Sequence, residues 1–160
     1  MTFGIGYDCH RLVPDRRLVL GGVEHSHELG LGLQGHSDAD VLTHAIIDAL
    51  LGACALGDIG QHFPDTDPRH RDADSIELLR ATVELLATEG FAVRHVDATV
   101  VLERPRLAPA RERIRARLAG ALGVGVESVS VKATRGEGMG FVGREEGIAA
   151  LAVASVERVG

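Results

Sequence analysis

Two short runs hold most of the residues able to do chemistry. Asp8-Cys9-His10 sets a carboxylate and an imidazole at i and i+2. The stretch from Gly35 to Asp67 carries His36, Asp38, Asp40 and His44 ahead of an apolar run, and Asp58, His62, Asp65 and Asp67 behind it. In an extended strand alternate residues share a face, so Asp8 and His10 project together while Cys9 points away. Held that way, the pair can grip one metal ion or simply form the polar end of a strand. His44 would complete a set of two His and one Asp, which suits zinc with an open fourth position, as catalytic zinc sites require. The bland alternative makes His44 a core histidine hydrogen-bonded to Asp40 or Asp48, each one turn away and each able to orient its ring. Closed structural zinc sites are rich in cysteine, and only Cys9 and Cys54 are present. Cys9 is expected to be a small core residue. The carboxylates from Asp58 to Asp67 either take ribose or diol hydroxyls or cap turns.

These groups need a scaffold. Phe3 to Val13 reads as a strand, and Leu18 to Val23 as a second one after a Pro14-Asp15 turn. Glu28 to Gly35, with Gly30, Gly32 and Gly35, reads as a mobile loop beside the site. A helix beginning near Asp38 or Ala39 shows Leu42, Ala45, Ile46, Ala49, Leu50 and Ala53 at i, i+3, i+4 spacing. Ile47 and Leu51 lie on its other side beside Asp40, His44 and Asp48. Such a helix is expected to be covered on both sides, with another subunit as one cover. Gly57 to Gly60 and Phe63 to Pro68 end it in a structured loop. Asp74-x-x-Glu77 resembles a capping box opening a second helix, marked by Ile76, Leu79, Val83 and Leu86 and stopped by Gly90. Val93 to Leu102 alternates as a strand. Pro109 opens a third helix, whose Arg111, Arg113, Arg115 and Arg117 are expected to face solvent. Val124 to Arg135 reads as a strand with Val126, Val129, Val131 and Ala133 as its apolar positions. A glycine-rich segment from Arg135 to Arg144 follows, without a P-loop signature, and Ile148 to Val156 closes as a last strand. The order ββ-α-α-β-α-β-β implies an α/β fold of the α+β sandwich kind: a mixed, mostly β sheet with helices on one face.

Composition sets the outer limits. The 160 residues, 45% hydrophobic and 25% charged, suit one soluble domain spanning residues 1–160. Aromatics make up 3%, so the core must be Val, Leu, Ile and Ala packing. A net charge of −6 argues against a general nucleic-acid binder. No apolar run approaches the ~18–20 residues that cross a bilayer, and the N-terminus lacks the pattern of a signal peptide. Two cysteines without a CxxC fit a reducing compartment. A cytoplasmic protein with neither nucleic-acid nor membrane partners is expected.

With the pieces side by side, the chain resembles the 2-C-methyl-D-erythritol 2,4-cyclodiphosphate synthases of the non-mevalonate isoprenoid route. The resemblance rests on Gly6-Tyr7-Asp8-Cys9-His10, His36-Ser37-Asp38-Ala39-Asp40, Leu51-Gly52-Ala53 and Ala55-Leu56-Gly57-Asp58-Ile59-Gly60. It continues through Phe63-Pro64-Asp65-Thr66-Asp67, Val131-Lys132-Ala133-Thr134 and Gly140-Phe141-x-Gly143-Arg144-x-Glu146-Gly147-Ile148-Ala149. It implies an intramolecular phosphoryl transfer: the 2-phosphate of 4-diphosphocytidyl-2-C-methyl-D-erythritol 2-phosphate attacks the β-phosphorus and expels CMP. Such chemistry asks for alignment and charge neutralisation more than covalent help. By resemblance, Asp8, His10 and His44 hold zinc or another divalent transition metal, and Glu137 ligates a second divalent ion, Mg2+ or Mn2+. His36 and Ser37 meet the migrating phosphate, with His36 catalytic. Asp58, Ile59, Gly60 and the loop Phe63, Pro64, Asp65, Thr66 and Asp67 take the methylerythritol unit. Leu102, Glu103, Arg104, Pro105, Arg106, Leu107 and Ala108 form the cytidine pocket, with Thr134, Arg135, Gly136 and Glu137 on the nucleotide's phosphate side.

One departure stands out: where relatives run Thr-Thr-Thr-Glu, this chain has Thr134-Arg135-Gly136-Glu137. Arg135 then occupies a catalytic threonine position, with more charge and a different reach. The resemblance further implies a homotrimer, its sheets around the threefold axis and its active sites between subunits. Phe141, Arg144 and Glu146 would line a central cavity able to take an isoprenoid diphosphate. Two other readings compete: a non-catalytic trimeric ligand-binding protein of the same fold, and a zinc phosphoester hydrolase with water in the open position.

Overall fold

Glycines at alternate positions of the first strand set the architecture. The computed structural model describes residues 1–159. The first strand, β1 (Thr2–Pro14), and the first helix, α1 (Val41–Ala53), pack unusually close. A Cβ on Gly4 would come 2.0 Å from the Ala49 carbonyl oxygen, and one on Gly6 would come 1.9 Å from that of Ala45. Only bare Cα atoms on the strand, facing small residues on the helix, let the two backbones meet this way. Asp8 and His10 continue the same face of β1 just beyond the contact.

The other strands extend from β1. The five-stranded sheet has the order β4-β1-β7-β5-β6, with β4 (Leu31–Leu33), β5 (Phe91–Val101), β6 (Val129–Thr134) and β7 (Gly147–Arg158). Every pairing is antiparallel except β5 with β6. A separate hairpin joins β2 (Leu18–Leu20) to β3 (Val23–His25). Helices α1, α3 (Ser75–Thr88) and α4 (Arg111–Leu122) supply one continuous core with the inner side of the sheet. Two single-turn helices, α2 (Ile59–His62) and α5 (Gly140–Gly143), lie in the connecting segments. The expected mixed sheet with helices on one face is what forms.

Several local expectations need correcting. Glu28 to Gly35 is not a loose loop: it contains β4, paired to β1 from Leu12 to Pro14, with Leu33 fully buried. The segment Leu18 to Val23 is broken into a hairpin by Gly21 and Gly22, whose φ values are +60° and +71°. Val126 begins a 3-10 turn and is 42% exposed, and Ala133 is exposed too, so only Val129 and Val131 of that stretch are core residues. The capping box at α3 is half made, because Asp74 accepts from the Ile76 amide while Glu77 pairs with Arg80. Arg115 does not simply face solvent; it donates to the carbonyls of Val126 and Val129 and ties α4 to the start of β6.

Two further corrections bear on assembly. Ile47 and Leu51 are completely buried within the single chain, where α3 packs along α1. The second apolar side of α1 therefore needs no other subunit to cover it. Cys9 is exposed, because its face of β1 looks away from the helices. That outer face also carries Phe3, Ile5 and Tyr7, and the neighbouring β7 adds Leu151 and Val153, all more than 40% exposed.

Candidate metal centre

β1 and α1 bring three electron-pair donors to one point. Asp8 Oδ2 lies 2.9 Å from His10 Nε2 and 3.1 Å from His44 Nδ1. The two ring nitrogens are 3.3 Å apart. Tetrahedral zinc with bonds of ~2.0–2.1 Å sets its ligand atoms about 3.3–3.4 Å from one another. The donor set and its spacing fit such an ion. The proton on His10 also suits it: Nδ1 donates to the Gln34 carbonyl at 2.9 Å, which leaves Nε2 with its lone pair toward Asp8 and His44 when the ring is neutral.

The electrostatics follow from this crowding. Burial alone would raise the Asp8 carboxyl, but the hydrogen bonds that His10 and His44 donate when their rings are protonated outweigh it and hold the group at about 2. Burial likewise opposes charge on His10, and the Asp8 carboxylate overcomes it, raising the ring above its ordinary value. An ionised carboxylate facing two imidazole nitrogens is a place where a cation is stabilised.

Neither Asp40 nor Asp48 orients the His44 ring, contrary to one reading of the sequence. Asp40 is fully buried as the N-cap of α1, accepting from the Thr43 amide at 3.0 Å and its hydroxyl at 2.8 Å. It also accepts from the amides of Gly21 and Gly22 at 2.9 and 2.7 Å, pinning the β2–β3 turn to the helix. Asp48 accepts from the Ile59 amide at 2.8 Å and so positions α2. The outer nitrogen of His44 instead meets Ser75 Oγ at 2.8 Å and Ser37 Oγ at 3.2 Å. Ser75 went unnoticed in the sequence, because nothing local signals that α3 would deliver its first residue here.

Beside the three donors opens a cavity of about 430 Å³, lined by His36, Ser37, Ile59, Gly60, Phe63 and Asp65 among others. Asp48 and His70 also line it, and both were missed. Asp48 had a signal, one turn beyond His44 on the same helix. His70 had none; its ring meets that of Phe63 edge-on at 5.6 Å. Thr66 borders an adjoining cleft with His36, Arg16 and Arg71. Asp58 caps α2 through the Gln61 amide at 3.0 Å. Asp67 is engaged by Arg69 at 2.6 Å and caps the following 3-10 turn, and the Pro64 carbonyl closes the turn that reaches it. Turn capping is thus a real part of what Asp58 and Asp67 do.

A second cavity, about 360 Å³, is lined by Leu102 to Ala108 with Glu28, Arg111, Ala133, Thr134 and Arg135. It shares no lining residue with the first. Arg104 is already occupied, bonding Glu145 at 2.5 Å and Glu28 at 2.9 Å. Arg135 pairs with the nearly buried Glu103 at 3.0 Å while its own side chain stays 65% exposed. Gly136 packs against Gly143, and Glu137 is exposed in the turn after it with φ +53°. Within the chain, Glu137 does not join Asp8, His10 and His44. Phe141 and Arg144 are at the surface, the latter paired with Glu146 at 3.1 Å.

Among the described residues no helix is long and apolar enough to cross a membrane. Residues 1–157 match the YgbB family. The chain is 57% identical over 157 residues to the 2-C-methyl-D-erythritol 2,4-cyclodiphosphate synthase of Salinibacter ruber, covering 98% of this chain and 99% of that protein. It is 59% identical over 155 residues to the bifunctional enzyme IspD/IspF of Anaeromyxobacter dehalogenans, of which it spans only 39%. A solved 2C-methyl-D-erythritol-2,4-cyclodiphosphate synthase in its CDP-bound form superposes with a TM-score of 0.88 at 34% identity, over 97% of this chain and 99% of that one. The bifunctional IspDF of Campylobacter jejuni gives a TM-score of 0.93 at 37% identity, over 98% of this chain and 42% of that one. With its fold and nearly its whole length in agreement, the chain belongs to the YgbB family of 2-C-methyl-D-erythritol 2,4-cyclodiphosphate synthases.

Proposed function

We propose that this chain, acting as one catalytic domain, converts 4-diphosphocytidyl-2-C-methyl-D-erythritol 2-phosphate to 2-C-methyl-D-erythritol 2,4-cyclodiphosphate and CMP. The observation that carries the reading is the convergence of Asp8, His10 and His44 beside a cavity that also holds His36 and Ser37. Zinc bound to those three residues supplies Lewis-acid polarisation of a phosphate oxygen. His36 and Ser37 position the attacking 2-phosphate and offset its charge. Ser37 Oγ accepts from the Ala39 amide at 3.3 Å and lies 3.2 Å from His44 Nε2, which fixes the hydroxyl at the cavity wall. Asp65 and the backbone around Gly60 receive the hydroxyls of the sugar alcohol. Folding the substrate so that nucleophile and leaving group are in line supplies much of the rate.

The cytidine end is assigned to the second cavity, with the backbone of Leu102 to Ala108 around the base and Thr134 and Arg135 toward the phosphates. Relatives solved as CDP complexes support this nucleotide class. Glu137 is assigned to a second ion of the Mg2+ or Mn2+ type, since such ions are commonly held by one or two carboxylates plus substrate phosphates. Because the two cavities share no lining residue, the complete site is assigned to the junction between copies in a homotrimer. The apolar outer face of the sheet supports that assembly. Phe141 and Arg144 then face a central cavity, and the two free cysteines agree with a cytoplasmic setting.

The test is direct. Purified protein with zinc and magnesium, given the substrate, is expected to release CMP and the cyclic product in equal amounts. No CMP overturns the reading, and a linear product would favour a phosphoester hydrolase.

A further inference from the structure

His10 and His44 present the same kind of nitrogen to the centre, but they are held differently. The outer nitrogen of His10 faces a carbonyl, which can only accept. The outer nitrogen of His44 faces two hydroxyls, Ser75 at 2.8 Å and Ser37 at 3.2 Å, each able to donate or accept, with Ser75 the nearer. If Ser75 donated to Nε2, the ring proton of neutral His44 would sit on Nδ1, pointing at Asp8 and closing the centre to a cation.

Asp38 decides between these states. One carboxylate oxygen accepts from the Ser75 hydroxyl in a short hydrogen bond, and the other accepts from the Ser75 amide at 3.0 Å. An ionised carboxylate only accepts, so the hydroxyl proton is committed to Asp38. With that proton committed, the 2.8 Å contact between Ser75 Oγ and Nε2 calls for a proton on Nε2, which Ser37 Oγ can share as a second acceptor, and the Nδ1 lone pair of the neutral ring then faces Asp8 and His10. Ser75 has no solvent exposure, so bulk water does not compete for either bond. Asp38 is fixed in turn: its carboxylate accepts from the Asp40 amide at 3.1 Å, and its own amide donates to the Ala73 carbonyl at 3.1 Å. The left-handed residue Ala39, φ +55°, lets the chain turn so that Asp38 faces Ser75 while Asp40 caps α1.

We infer that Asp38 and Ser75 are positioning residues that set the tautomer of His44, and so make the three-donor cluster competent for a metal ion. This rests on the metal reading given above. It assigns a task to two residues that touch neither substrate nor metal, and it makes the junction between α1 and α3 part of the centre.

Zinc affinity, measured against a chromophoric chelator, and the ring 15N spectrum of the zinc-free protein test it together. In the unmodified protein the His44 signals should report a proton on Nε2; a proton on Nδ1 overturns the inference without any mutation. Ser75→Ala should weaken zinc about 10–100-fold, the usual effect of losing an outer partner of a ligating histidine. Ser75→Thr, which keeps a hydroxyl, should recover most of that loss. Asp38→Asn is the sharper variant. With its oxygen facing the Ser75 amide, its NH2 must face Oγ, reversing the hydroxyl and moving the His44 proton to Nδ1. Zinc affinity within about 3-fold of the unmodified protein in both Ser75→Ala and Asp38→Asn overturns the proposal. If instead the unmodified chain binds no zinc, or His44→Ala binds it equally well, the metal reading itself fails.

Discussion

Arg135 shows how a single residue can change the terms of a site. It stands where the resemblance implies a threonine, and it is tethered at its Nε and Nη2 edge by Glu103, whose side chain is only 8% exposed. The tether leaves Nη1 outside the pair with Glu103, free to meet a phosphate oxygen at the second cavity, where the cytidine end is proposed to bind. Arg135→Ala is expected to lower kcat about 100-fold, in line with losing one preorganised donor to a charged transition state. Zinc content should be unchanged. If turnover and substrate affinity both stay as they were, Arg135 has no catalytic part. His44→Ala is the complementary change, expected to abolish stoichiometric zinc by metal analysis while leaving CDP affinity within about 3-fold.

At the level of elements, the centre depends on how closely α1 lies against β1. Gly6→Ala puts a methyl group into the Ala45 carbonyl, so backbone must move rather than a flexible side chain. A loss of about 3 kcal/mol in urea unfolding is expected, with weaker zinc binding because His44 rides on the displaced helix. A change below about 0.5 kcal/mol would mean that the close approach is not needed. The loop from Leu102 to Ala108 has its own anchor in Arg104. Hydrogen bonding to Arg104 holds the Glu145 carboxyl below its usual value of 4.5. Since the folded-state value is the lower one, the anchor is fully present above that pH and is lost as pH falls through the lowered value. Glu145→Gln should mimic the acid state at neutral pH, speeding amide exchange across residues 102–108 about tenfold without altering exchange in α1.

For the whole molecule, the outer face of the sheet is the open question. Ile5 and Val153 are paired across β1 and β7, 70% and 45% exposed, with Tyr7 and Leu151 paired alongside. Apolar surface gathered this way marks an interface. It also moves the argument for a trimer from α1, which the chain buries by itself, to the face on which Cys9 lies. If the proposed trimer uses this face, Ile5→Glu should convert it to smaller species in sedimentation velocity and reduce turnover with it, since the two cavities would then come from separated chains. A monomeric unmodified protein, or a variant still trimeric, would remove this support.

The sequence by itself determined the parts whose signals are local. Alternation placed Asp8 and His10 on one face of a strand, spacing marked α1 and α3, and the long motifs were enough to recognise the family. These signals survive because backbone periodicity dictates which side chains share a face. The tertiary structure decided everything that depends on which distant groups meet. It paired Leu31 to Leu33 with β1, spent Asp40 and Asp48 on amides, buried Ile47 and Leu51 within one chain and brought Ser75 to His44. No spacing rule could assign a partner to His44, because its two nearest carboxylates in sequence were already satisfied by backbone donors. Hydrogen-bonding groups are claimed by whichever partner the packed fold brings within about 3 Å.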